Sequence, residues 1–213
     1  EATSPIKRYQ TWFPTEEKPG TIIVRASERR LYLVLGEGWA MKYGIGVARE
    51  GFEWSGEFRV SMKRQWPDWT PPDEMLKRQP DLPKHMDGGP DNPLGARALY
   101  LGDTLYRIHG TTDPMSIGHN ASSGCIRMIN QDVEDLYRRV NTEATLDLAR
   151  AAEGRVGRMI FISSIRAQSG AVARTLLDES IAPAPTDAYG RSKLAAEEGL
   201  AKDRKSTRLN SSH

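Results

Sequence analysis

Residues 63–92 are crowded with Pro, Asp, Trp and Gly and carry neither helical nor strand periodicity. An irregular segment of this length inside a folded domain is uncommon, and it is usually either functional or disordered. Trp66 and Trp69 favour an ordered flap, because aromatic rings give a loop something to bury. The chain must therefore fold into something that tolerates a large insertion between regular elements.

Strand-like stretches flank the insertion on both sides. Thr21-Ile22-Ile23-Val24 is β-branched, and Leu31, Leu33 and Leu35 alternate with Tyr32 and Val34, the period of a strand. Residues 39–47 follow, with Gly44 and Gly46 as bends, then 57–62, 98–101 and 105–109. Residues 1–19 are polar, contain proline and read as an N-terminal arm. A helix is expected over 130–140. Asn130 is a good cap. Asp132, Glu134 and Asp135 come before Arg138 and Arg139, the order that suits the helix dipole. Val133, Leu136, Tyr137 and Val140 make one apolar face. Residues 20–140 thus read as a mainly β domain with a flap insertion and a short C-terminal helix.

Composition narrows the function classes. A net charge of +2 over 213 residues is too small to indicate nucleic acid. There is no apolar run of about 18 residues, so no membrane span is expected. The first residues lack the basic-then-apolar pattern of a signal peptide, so no leader is expected in this chain. His85 follows no metal-ligand spacing, and no cluster of His, Cys and carboxylates suggests zinc. No metal and no cofactor are expected, and the chain is expected to be a monomer.

The single cysteine, Cys125, excludes an internal disulfide. A lone cysteine is usually a small buried hydrophobe. The surroundings favour chemistry here: Ile108-His109-Gly110-Thr111, then Ser116-Ile117-Gly118, then Ser122-Ser123-Gly124-Cys125-Ile126-Arg127-Met128. A thiol nucleophile needs a base. His109 ends a strand and Cys125 precedes the helix, so the returning chain can set them side by side. Acyl transfer also needs donors for the oxyanion. Gly124 leaves the backbone open for the N–H groups of Gly124 and Cys125. An acceptor near Gly110 or Thr111 can orient the histidine. As residue types alone, the pair equally suits a core His and a core Cys.

The patterns His-Gly-Thr-x-x-Pro-x-Ser-Ile-Gly and Ser-x-Gly-Cys-Ile-Arg-Met, with Asn92-Pro93-Leu94-Gly95-Ala96-Arg97 upstream, resemble the catalytic domain of the L,D-transpeptidases over about residues 20–140. The resemblance implies a mixed β-sandwich with a flap over the site, Cys125 as nucleophile, His109 as base with Gly110 beside it, and peptidoglycan stem peptides as substrate. It also implies a periplasmic or cell-envelope location. Arg127 would contact a substrate carboxylate or brace the site. Ser122, Ser123, Thr111 and His119 are further candidates for the substrate side, though a loop histidine such as His119 is commonly just exposed. Many members carry His where this chain has Ser123, which weakens any proton-relay role there. Trp54, Trp66 and Trp69 could line a groove or form the flap's own small core. A non-catalytic peptidoglycan-binding module is the rival reading, which the intact Cys125 and His109 oppose.

Residues 141–204 change character. Thr142 to Ala152 reads as a helix, Met159-Ile160-Phe161-Ile162 as a buried strand and 187–201 as a helix. Tyr189-Gly190-Arg191-Ser192-Lys193 and Ile160-Phe161-Ile162-Ser163-Ser164 resemble an extended short-chain dehydrogenase or NAD-dependent epimerase. That resemblance implies Ser164, Tyr189 and Lys193 as vestiges of its site. The glycine-rich phosphate loop that such a fold needs does not precede the piece. It is therefore expected to be an incomplete α/β fragment, extended or loosely packed. Residues 205–213 resemble a translated sequencing adaptor and are expected to be disordered. A chimeric reading frame, joined near Val140, accounts for all three features.

Overall fold

The computed structural model describes residues 6–152, 155, 165–169, 182–186 and 188–210. Two compact units emerge, Glu1–Leu136 and Tyr137–His213. The first is mainly β. Its strands are β1 (Tyr9–Trp12), β2 (Ile22–Arg25), β3 (Arg30–Gly36), β4 (Trp39–Gly44), β5 (Val47–Ala48), β6 (Val60–Gln65), β7 (Arg97–Leu101), β8 (Arg107–His109), β9 (Asn120–Ser122) and β10 (Ile126–Arg127). One sheet has the order β1-β4-β3-β2 and a second β10-β8-β7-β6, while β5 and β9 form a short parallel pair.

The strands expected from alternation are present, with ends shifted by a few residues. β3 departs from simple alternation: Leu31, Tyr32, Leu33 and Val34 are all buried. Both of its faces are covered, because Phe13 stacks on Tyr32 with ring centroids 4.4 Å apart. That contact also corrects the reading of residues 1–19 as an arm. Tyr9–Trp12 pairs antiparallel with β4. Arg8 reaches helix α2 (Asn130–Ala152) through Asp132, 2.7 Å away, and Asp135, 3.7 Å away.

Asp132 and Asp135 thus do more than complement a helix dipole. Both are buried, and the Tyr43 hydroxyl donates to Asp135 Oδ2 at 2.7 Å. Val133 and Leu136 are fully buried, as the apolar face predicts. The helix does not stop near Val140. It runs unbroken to Ala152, because residues 138–145 contain no Gly or Pro. Thr142 and Thr145 turn their hydroxyls back onto the carbonyls of Arg138 and Asn141, 3.1 Å each, so neither competes with the helix.

The flap is ordered. Trp69 and Met86 exchange backbone hydrogen bonds of 2.8 Å, closing a loop that holds helix α1 (Asp73–Arg78). Buried Asn92 ties its end by donating to the carbonyls of Met86 and Asp87. In the second unit the described regular elements are the end of α2 and the helices α3 (Ile165–Gln168) and α4 (Ala188–Asn210). The expectation of an extended piece does not hold for them, since Gly199 lies so close to Leu146 that a Cβ there would stand 2.6 Å from it. Helix α4 also continues through residues 205–210, where no periodicity was visible. Lys, Arg and Leu are good helix formers, and no breaker follows Gly199. The expected strand Met159-Ile160-Phe161-Ile162 lies outside the described residues. No described helix is long and apolar enough to cross a membrane.

Candidate active site

The site is assembled where the second sheet turns from antiparallel to parallel. β8 pairs antiparallel with β7 on one side and parallel with β10 on the other. The register sets Ile126 against Ile108 and Arg127 against His109. Ile108 and Ile126 are buried on the core face. Side chains alternate along a strand, so His109 and Arg127, paired in this register, share the opposite face, and Cys125 lies two residues before Arg127, just ahead of β10.

His109 is 4% exposed. Its Nδ1 meets the Gly110 carbonyl at 2.6 Å. A carbonyl only accepts, so Nδ1 carries the proton, and the neutral ring keeps Nε2 as its acceptor. Burial pushes the imidazole pKa down to about 4; the Gly110 carbonyl draws it partly back, the charges of Arg127 and Arg107 push it down again, and a backbone hydrogen bond with Leu94 raises it a little. The ring is neutral at ordinary pH.

The turn that carries Gly110 is held from helix α2. Asn130 Oδ1 accepts from Ala96 N at 3.0 Å and from Thr111 N at 3.3 Å. Any Cβ on Gly110 would collide with that oxygen, so glycine is required there. The sequence marks Asn130 only as a helix cap. Its bridging of two turns that are distant in sequence has no local signature.

Cys125 is half-buried. Its thiol leans toward the Leu105 carbonyl at 3.9 Å rather than toward the imidazole. Gly124 has φ +114°, and a Cβ there would lie 2.5 Å from the Tyr106 ring. Backbone and packing both demand glycine. Ser122 Oγ accepts from Gly124 N at 3.2 Å and donates to the Cys125 carbonyl. This alters one expectation: the Gly124 N–H is already engaged. Among the described residues, the Cys125 N–H is the donor of that pair which the turn does not consume.

The other candidates sort by position. Ser122 is buried inside the turn, and Thr111 is buried, its hydroxyl accepting from Asp113 N at 3.1 Å. Ser123 is at the rim, where its hydroxyl receives Arg49 Nη2 at 3.0 Å. Arg127 is half-buried, with its backbone tied both ways to Gly46 at 2.9 Å. His119 is exposed. Trp54 is close: its indole N–H donates to the Gly124 carbonyl at 2.6 Å. Trp66 is exposed on the flap. Tyr189 and Lys193 fall one turn apart on α4, while Ser164 lies outside the described residues. Among the described residues no group of His, Cys and carboxylates could hold a metal.

A mainly β fold that presents a thiol just after a glycine turn, at the start of the strand paired with the one that carries a buried neutral histidine, defines a candidate acyl-transfer site. Residues 19–162 match the L,D-transpeptidase catalytic domain of the YkuD type. The chain belongs to that family. The match continues past Val140, where sequence reading ended the domain. Among relatives, "Probable L,D-transpeptidase ErfK/SrfK" of Escherichia coli is 37% identical over 126 residues, covering 56% of this chain and 40% of the relative. "Probable L,D-transpeptidase YbiS" of Escherichia coli is 35% identical over 128 residues, covering 56% and 41%. The chain thus spans about two fifths of the length of these curated relatives. A solved chain titled "Probable carnitine operon oxidoreductase caia" from Brucella melitensis is 48% identical, covering 63% of this chain and 88% of that one, with a TM-score of 0.47. That overlap is too loose to bear on the fold.

Proposed function

We propose that this chain is a peptidoglycan L,D-transpeptidase of the cell envelope, working through a thioester on Cys125. The observation that supports the reading is the β8–β10 register, which pairs His109 with Arg127, two residues after Cys125. In the first half-reaction the Cys125 proton passes to His109 Nε2, and the sulfur attacks the carbonyl that precedes the terminal D-Ala of a stem tetrapeptide. The resulting oxyanion takes the Cys125 N–H as its main donor. The intermediate collapses: the C–N bond breaks, and the imidazolium hands its proton to the departing D-Ala amine. In the second half-reaction the side-chain amine of another stem attacks the thioester and gives a proton to His109. The C–S bond breaks, the thiol is restored, and two diaminoacyl residues are joined.

The Gly110 carbonyl holds the proton on Nδ1, which leaves Nε2 unprotonated, and it stabilises the imidazolium when it forms. Arg127, two residues after the thiol and paired with His109, is with Ser123 at the rim the group we assign to a substrate carboxylate. Ser122 and Thr111 act within their turns rather than on substrate. This mechanism assigns no role to Ser164, Tyr189 or Lys193.

The test is incubation of the full chain with a disaccharide tetrapeptide, followed by mass spectrometry of the products. The expected products are free D-Ala and a cross-linked dimer. Unchanged tetrapeptide, with native fold and a free thiol, would contradict the proposal.

A further inference from the structure

We propose that Trp54 is a positioning residue of this site, and that its indole N–H aims the peptide unit whose N–H receives the oxyanion. The inference rests on the transpeptidase reading above. Trp54 Nε1 donates to the Gly124 carbonyl at 2.6 Å. That carbonyl and the Cys125 N–H are opposite ends of one planar trans peptide unit, and no described peptide bond is cis. Fixing the oxygen therefore fixes the direction of the N–H. A hydrogen bond to the carbonyl also polarises the unit and strengthens the N–H as a donor.

The indole is itself held in place. It lies parallel on the Tyr106 ring, with centroids 4.4 Å apart and planes 6° apart, and Phe58 meets it edge-on at 5.5 Å. Tyr106 is the same ring that excludes a Cβ at Gly124. One aromatic stack thus governs both the conformation of the glycine and the orientation of the next peptide. Trp54 sits between β5 and β6, in a stretch without regular structure. Its place is set by the stack and the hydrogen bond, not by a backbone ladder. Side-chain packing alone would need only a ring of that size. A positioning role needs the N–H.

Trp54→Phe keeps a ring on Tyr106 and removes the donor. Replacement of Trp54 by benzothienylalanine keeps the whole bicycle and swaps N–H for sulfur, which covers the case of a phenylalanine variant that folds poorly. Two reactions of the full chain are compared. Acylation of Cys125 by the tetrapeptide, followed by intact mass in a single turnover, passes through an oxyanion; alkylation by iodoacetamide does not. Removing a whole oxyanion donor costs about 10²–10³-fold, so a mis-aimed one is expected to slow acylation and kcat about tenfold. KM and the alkylation rate should stay within about twofold. Acylation at the wild-type rate in both variants would overturn the proposal. So would acylation and alkylation falling together, which would mark Trp54 as a general support of the thiol. If the wild-type chain alkylates but never acylates, the transpeptidase reading fails, and the role of Trp54 fails with it.

Discussion

The two four-stranded sheets of the first unit show how a frame differs from a site. In β1-β4-β3-β2 every neighbour is antiparallel. Its outward contacts are ordinary for a surface sheet: the Trp12–Trp39 edge contact at 5.5 Å and the Arg25 guanidinium 4.9 Å over Phe13. In β10-β8-β7-β6 the last pair is parallel and only two residues long. Where that ladder ends, side chains take over the backbone groups: Asn130 for Ala96 and Thr111, Ser122 for Gly124 and Cys125, Trp54 for the Gly124 carbonyl. Each such bond is specific to one residue, whereas a ladder bond tolerates many. Substitutions beside β10 should therefore cost function, and matched ones in the first sheet should not.

Cys125→Ser carries the largest expected effect, with product formation below detection in the muropeptide assay and the thermal midpoint close to wild type. His109→Gln should follow, lowering kcat by about 10²–10⁴-fold, the usual worth of a general base. The same variant tests a pH effect. The folded pKa of about 4 lies below the ordinary value of 6.5, so between these values the unfolded chain binds more protons than the folded one. Stability from this group is fully present above about 6.5 and is lost as pH falls toward 4, by roughly 3 kcal/mol. Burial raises the carboxyl of Asp132, and that group works in the opposite sense. Urea midpoints across this range should drop for wild type and drop less for His109→Gln.

Gly124→Ala should lose about 100-fold in activity and roughly 2–3 kcal/mol in stability, since it forces a side chain into the left-handed region and against Tyr106. Asn130→Ala leaves the N–H groups of Ala96 and Thr111 without their acceptor and should cost about 1–3 kcal/mol by urea unfolding, with a smaller loss of activity. Trp12→Thr is the control from the first sheet. Removing one exposed cross-strand aromatic should cost at most about 1 kcal/mol and leave kcat unchanged. A fall in kcat for Trp12→Thr comparable to that of Gly124→Ala would erase the distinction between the two sheets.

The sequence reveals these regions unequally. β2, β3, β4 and β7 are visible because hydrophobic periodicity is a local signal, and the flap is visible because its composition is extreme. β1 is hidden: four residues, mostly exposed, carry no alternation, and only pairing with β4 makes them a strand. β9 and β10 are too short to show a period. Cys125, His109 and Gly124 are legible through the motif around them. Asn130, Trp54 and Tyr106 act across long stretches of chain: 70 residues for the Trp54–Gly124 bond, 19 for Asn130–Thr111 and 18 for Tyr106 against Gly124. Such partners are known only once the chain has folded. The helix joining residues 130–140 to 142–152 went unseen because a change in character was read as a boundary, although no breaker separates the two.

The central claim is that Cys125 becomes acylated. The most direct measurement is intact-protein mass spectrometry of the full chain, quenched in acid shortly after mixing with the disaccharide tetrapeptide, followed by peptide mapping. A mass increase equal to the donor minus D-Ala is expected, located on the peptide that contains Cys125, absent from Cys125→Ser and discharged when an acceptor amine is added. Turnover with no adduct on that peptide, or an adduct that persists in Cys125→Ser, would contradict it.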